Sequence, residues 1–133
     1  FEDLRTAITE ENLSDFFVLH GYQTDVNSFY KIFDLFVNPS EEECLSIAMI
    51  DAAMYGLPIV AFNVGGNNEI IKHKETGFVV ESLQEFINAC QKLIEEKDLR
   101  VAMGKESQNH CYELYSEPVH KKELLHLYKD LLK

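Results

Sequence analysis

The sequence predicts an α/β domain: a Rossmann-like parallel sheet with flanking helices, closed by a helical C-terminal tail. Three observations carry that expectation. Short apolar runs of strand length alternate with segments of helical spacing, the pattern of βαβ units. The last third of the chain shows helical patterning alone. Apolar residues make up 46 % and charged residues 26 % of 133 residues, enough to build one globular domain with its own core.

"FEDLRTAITEENL" sets Leu4, Ala7 and Ile8 at helical spacing. "DFFVLHG" reads as a short buried strand ending at Gly21. "TDVNSFYKIF" places Val26, Phe29, Tyr30 and Phe33 on one helical face, with Thr24 or Asp25 as its N-cap. "DLFVNPS" is a second strand, stopped by Pro39. Residues 44–55 are helical in pattern and end at Gly56. "PIVAFNV" is a third strand, closed by Gly65 and Gly66, and a short helix follows at "NEIIKHK". "TGFVV" is a fourth, shorter strand. Ser82 with Glu85 forms a capping box ahead of "LQEFINACQKLIEE". Further helices begin at Asp98 and near Pro118, a favourable first-turn residue.

Charge and cysteine usage narrow the function classes. A formal net charge of −11 argues against a nucleic-acid backbone or an anionic membrane surface as partner. No apolar run reaches the ~18 residues of a membrane span. Cys44, Cys90 and Cys111 stand far apart, odd in number and without a C-x-x-C, so neither a disulfide framework nor a zinc site is expected. A reducing, cytoplasmic setting is expected instead. The five histidines lack metal-ligand spacing, and no metal site is expected. Phe1 is not an initiator Met and no signal peptide opens the chain, so a piece of a longer protein is expected.

Ligands of parallel α/β sheets bind beyond the C-terminal strand ends. Two loops lie there, "NPSEEECLS" and "NVGGNNE". The first leads into a helix that opens with Cys44, Leu45, Ser46 and Ile47. The unpaired amides and dipole at such an end favour an anion such as phosphate. A carboxylate beside phosphate would repel it, so Glu43 must face neutral hydroxyls or solvent, or else simply complement the dipole. Asp51 lies inside the helix, where Asp is a poor residue. It is either an ordinary solvated charge or a ligand-facing one. Gly65-Gly66 permits a tight turn or a close backbone approach to a ligand.

Taken together, the stretch from Gly21 to Ile71 resembles the C-terminal domain of retaining glycosyltransferases of family 4, which have the GT-B architecture of two Rossmann-like domains facing across a cleft. Gly21, Asp25, Val26, Tyr30, Asp34, Pro39 and Ser40 match the first half of the family pattern. Glu43, Ala52, Gly56, Pro58, Gly65, Gly66, Glu69 and Gly77 match the second half with spacing preserved. The chain departs from the pattern at Asp51, where the family carries Glu, at Cys44 and Ser46, which replace glycines, and at Asn67-Asn68, which replaces an x-Pro.

The resemblance implies a nucleotide diphosphate sugar as donor and a glycan, lipid or other acceptor, with no cofactor and no metal. It implies that residues 1–133 form part of the donor-binding domain, without the N-terminal acceptor domain and without the Arg and Lys that face the diphosphate. It assigns the transferred sugar to Glu43, Cys44, Leu45 and Ser46, the diphosphate to Ser46 and Ile47, and the ribose to Asp51. Gly21 and Tyr22 are implied to lie by the base. No residue is assigned as catalytic, and the piece alone is expected to be inactive. The principal rival is a non-catalytic α/β module that binds a nucleotide or a protein.

Overall fold

A computed structural model describes residues 2–132; the two terminal residues, Phe1 and Lys133, lie outside it. Three parallel strands, β1 (Phe36–Asn38), β2 (Ile59–Phe62) and β3 (Gly77–Val80), form a sheet in the order β1-β2-β3. The helices are α1 (Glu2–Glu10), α2 (Asn27–Tyr30), α3 (Ile47–Met54), α4 (Asn67–Ile70), α5 (Leu83–Glu95), α6 (Lys97–Tyr115) and α7 (Glu117–Leu131). The α3 and α4 helices are the two crossovers between successive strands, as parallel pairing requires.

Side chains on a strand alternate between faces, and β2 shows how the core divides. Ile59 and Ala61 face one side, where they meet Met49 and Ala53 of α3 with Ile70 and Ile71. Val60 faces the other, against Ala89 and Leu93 of α5 and Phe78 and Val80 of β3. Every β2 residue from Ile59 to Ala61 is fully buried, which is why "IVA" shows no polar alternation. The long α6 serves both faces, Met103 joining the α5 side and Cys111 the α3 side.

That helix also ties down α3. Gln108 Nε2 donates to Met54 O at 2.7 Å and Cys111 Sγ to Ile50 O at 3.5 Å. Met54 O is at the C-terminal end of α3, where helix carbonyls lose their internal partners, and Ile50 O is in the middle of the helix. The backbones approach so closely that a Cβ on Gly104 would stand 2.2 Å from Gly56 O. Burial and the nearby Asp51 carboxylate push the Cys111 thiol up to about 11, so it remains neutral at physiological pH.

The capping box at Ser82 forms. Ser82 Oγ accepts from Glu85 N at 3.3 Å, and Glu85 Oε2 accepts from Glu81 N at 2.9 Å, one residue earlier than in the ideal motif. Arg100 Nη1 closes the other end of α5 by donating to Leu93 O and Ile94 O at 2.7 and 3.0 Å. Asp25 caps the turn before α2, accepting from the amide and the hydroxyl of Ser28; these bonds lower its pKa below the usual carboxylate range.

One expected element is absent. "DFFVLHG" is not a strand: residues 15–21 are turn and irregular chain, with Phe16, Phe17 and Val18 exposed. A strand exists only through pairing, and no described strand lies beside this segment. The sheet therefore has three strands among the described residues, not four. The helix expected over residues 44–55 starts at Ile47, because Ser46 has extended backbone angles and serves as N-cap.

The close approach of α6 to the end of α3 makes a prediction of unusual sign. Helix propensity alone favours Ala over Gly by about 1 kcal/mol, yet Gly104→Ala is expected to destabilise the fold by about 1–3 kcal/mol through overpacking. Urea denaturation measures this, and a midpoint that is unchanged or raised contradicts the packing described.

Candidate functional site

Because the strands are parallel, the loops after β1, β2 and β3 emerge on one side of the sheet. Two of them are locked together. Gly66 N donates to Cys44 O at 2.7 Å. A Cβ on Gly65 would stand 1.7 Å from Glu43 O, and one on Gly66 2.7 Å from Cys44 O. Gly65 also has φ of +51°, in the left-handed region. The glycine pair thus makes both the turn and the close approach expected of it, but the approach is to the chain's own neighbouring loop. Asn67 supports the turn from beneath: it is fully buried, and its Nδ2 donates to Phe62 O at 3.0 Å.

The loop after β1 is shaped by a residue that the sequence reading passed over. Asn38, the last residue of β1, is 9 % exposed. Its Oδ1 accepts from Ser40 N at 3.1 Å, closing a turn of the Asx type. Its Nδ2 donates to Glu43 Oε1 at 3.1 Å and lies 3.3 Å from Met49 Sδ. The Glu43 carboxylate is therefore turned toward the end of β1, and no bond links it to the first amides of α3. The signal available in the sequence was an Asn directly before Pro-Ser at a strand end, which reads equally well as a simple strand stop.

The α3 N-terminus is open. Ser46 is buried, yet its side chain makes no capping bond. The Ile47 and Ala48 amides have no hydrogen-bond partner among the described residues. Cys44, Leu45 and Ile47 are exposed around this end. Asp51 lies four residues beyond Ile47, hence on the same face and about 6 Å along the axis. It is half-buried and its carboxylate makes no hydrogen bond to a described residue. It raises the pKa of Cys111 and of Tyr30, in each case after burial as the larger cause.

Gly21 and Tyr22 are not brought to this group by direct contact. Gly21 has φ of +66° in open surroundings and Tyr22 is 90 % exposed. Their connection is indirect. His20 meets Phe29 edge-on with ring centres 4.7 Å apart, and the neighbouring Tyr30 donates its hydroxyl to Ala48 O at 3.3 Å. The 20–22 turn is thereby tethered beside α3.

Electrostatically the strand-end loops are acidic. The ion pairs Lys92–Glu96 and Arg100–Asp34 and the His126–Asp130 contact all lie in other segments. Beside Glu41 the loops enclose a depression of about 310 Å³, walled by Phe62, Val64, Val80 and Leu83. A larger groove of about 920 Å³ follows the outer edge of β3 and includes Lys72, Lys74, Glu85 and Lys92, but none of residues 43–51. No described helix is long and apolar enough to cross a membrane.

A model of the family described as "Glycosyl transferases group 1" matches residues 1–110. The chain is 34 % identical over 103 residues to the Escherichia coli UDP-Gal:alpha-D-GlcNAc-diphosphoundecaprenol alpha-1,3-galactosyltransferase, covering 76 % of this chain and 26 % of that protein. It is 29 % identical over 118 residues to the Staphylococcus aureus capsular polysaccharide biosynthesis glycosyltransferase CapM, covering 87 % and 31 %. The chain thus spans about a quarter to a third of the length of these relatives. Among solved structures, sucrose-phosphate synthase of Thermosynechococcus elongatus matches 98 % of this chain and 34 % of its own, with a TM-score of 0.90 and 23 % identity. Anabaena HepE in complex with UDP matches 96 % and 36 %, with a TM-score of 0.87 and 21 % identity. The fold is that of GT-B glycosyltransferases, and the relatives are named as transferases. The chain belongs to the glycosyl transferases group 1 family.

Proposed function

We propose that this chain is the donor-binding part of a retaining glycosyltransferase of family 4. The parent transfers a sugar from a nucleotide diphosphate sugar to a glycan or lipid acceptor held by a separate N-terminal domain, in the cytoplasm. The observation that carries this reading is the open N-terminus of α3, with two free amides that lie in the chain between Glu43 and Asp51. Support comes from related folds, since HepE was solved with UDP and with UDP-glucose.

The chemistry follows from the order of groups in the donor. Diphosphate links the sugar to the ribose. With the diphosphate on Ser46 and the Ile47 and Ala48 amides, the sugar falls toward Glu43, Cys44, Leu45 and Ser46, and the ribose toward Asp51. Glu43 accepts hydroxyl protons and stays off the phosphate, which its charge would repel. Asp51 offers two oxygens to the ribose diol. Gly21 and Tyr22 lie toward the base. When the bond from the sugar to the diphosphate breaks, negative charge grows on the leaving phosphate, and the preorganised amides and helix dipole stabilise it.

Two outcomes test the placement. Asp51→Asn keeps the shape of the side chain but loses its charge. It is expected to weaken UDP binding by about 1.5–3 kcal/mol, the range for a hydrogen bond to a charged group, with little change in melting temperature. The 2′-deoxy analogue of UDP should bind more weakly than UDP to the native protein, by a margin that shrinks in Asp51→Asn. An unchanged affinity in the variant, or a deoxy effect of equal size in both proteins, contradicts the ribose assignment.

Cys44 provides an independent test. It is exposed, whereas Cys111 is buried and its thiol is held neutral. Iodoacetamide should therefore modify Cys44 well before Cys111, and saturating UDP-glucose should slow the modification of Cys44 several-fold. Labelling of Cys44 that is indifferent to UDP-glucose contradicts a donor sugar beside it.

A further inference from the structure

We infer that Asn38 is the positioning residue of the donor-sugar subsite, fixing the Glu43 carboxylate so that one oxygen alone faces the ligand. The inference rests on the donor-binding reading above and names what organises the sugar end of that site. Asn38 is nearly buried at the end of β1 and uses both ends of its amide. The Oδ1 is taken by Ser40 N, so the Nδ2 must point the other way, to Glu43 Oε1 and Met49 Sδ. The orientation of the amide is thus determined by its partners, since a flipped amide would set a donor against the Ser40 N–H and an acceptor against the carboxylate.

The consequence falls on Glu43. With Oε1 engaged by Asn38, Oε2 is the oxygen left for sugar hydroxyls. An unheld Glu would rotate about its own side-chain bonds and offer either oxygen in several places. Holding the acceptor in advance reduces the ordering cost of binding. Asn38 also touches Met49, whose side chain is fully buried against the sheet, so Glu43 is referenced to the core of the domain through a single residue. The Ile47 and Ala48 amides make no hydrogen bond to Asn38 or to Glu43. Loss of Asn38 should therefore damage recognition of the sugar and spare recognition of the nucleotide.

The test compares UDP with UDP-glucose by calorimetric titration in four proteins: native, Asn38→Asp, Glu43→Gln and the double variant. Asn38→Asp keeps an acceptor for Ser40 N, so the turn persists, but it loses the donor and sets a second charge beside Glu43. Melting temperature checks that it is folded, and Asn38→Leu is the second variant if it is not. The expected result is an affinity for UDP within about twofold of native in all four. The extra affinity for UDP-glucose over UDP should fall by about tenfold or more in each single variant, as for a lost hydrogen bond to a charged group. The double variant should lose no more than either single one, because coupled residues are not additive. Equal weakening of UDP and UDP-glucose in Asn38→Asp, or losses that add in the double variant, would overturn the inference while leaving the donor-binding reading intact. A native protein that binds neither compound would overturn both.

Discussion

The site depends on one close contact, the Gly65-Gly66 turn pressed against the backbone of Glu43 and Cys44. The Gly66 N–H to Cys44 O bond joins the loop after β2 to the loop after β1, and no side chain fits between them. Loops beyond a parallel sheet are ordinarily its most mobile parts. Here two of them brace each other, and the segment between β1 and α3 is held at its middle as well as at its ends. The α3 amides consequently have a fixed place relative to Glu43. Preorganisation of that kind is what a binding or transferring site requires, because donors that must be reoriented during reaction stabilise little.

The same economy extends beneath the loops. Asn38 refers Glu43 to the strand end and to Met49, while Gln108 of α6 holds the C-terminal end of α3 and Cys111 its middle. The helix that presents the amides is therefore anchored by hydrogen bonds at its C-terminal end and packed on its inner face, and its N-terminus is left without a cap. Leaving helix amides unpaired costs stability in proportion to the cap forgone, about 1 kcal/mol for a typical N-cap side chain. A ligand that supplies the missing acceptors recovers it.

Much of this was legible in the sequence where the signal is local. The β2 and β3 strands, the end of α3 at Gly56 and the capping box at Ser82 each depend on neighbours a few residues away, and each was placed within a residue or two. The misread strand at residues 15–21 shows the converse. An apolar run states that burial or pairing is favourable, but pairing needs a partner, and "DFFVLHG" has none in the described sheet. Asn38 escaped notice because its meaning lies in Glu43 and Met49, five and eleven residues on. The contact of Gly65 with Glu43 was likewise invisible: a Gly-Gly pair announces a close approach without saying to what. The pair of acids was found by pattern and resemblance, whereas the free Ile47 and Ala48 amides between them needed the position of the N-cap.

Amide chemical-shift mapping of the chain with UDP most directly tests whether the nucleotide sits at the α3 N-terminus. The largest and most saturable changes should fall on the Ile47 and Ala48 amides, with smaller ones at Glu43, Cys44, Asp51 and Gly66. Changes confined to the groove beside β3, at Lys72, Lys74 and Lys92, would place the nucleotide elsewhere and contradict this assignment.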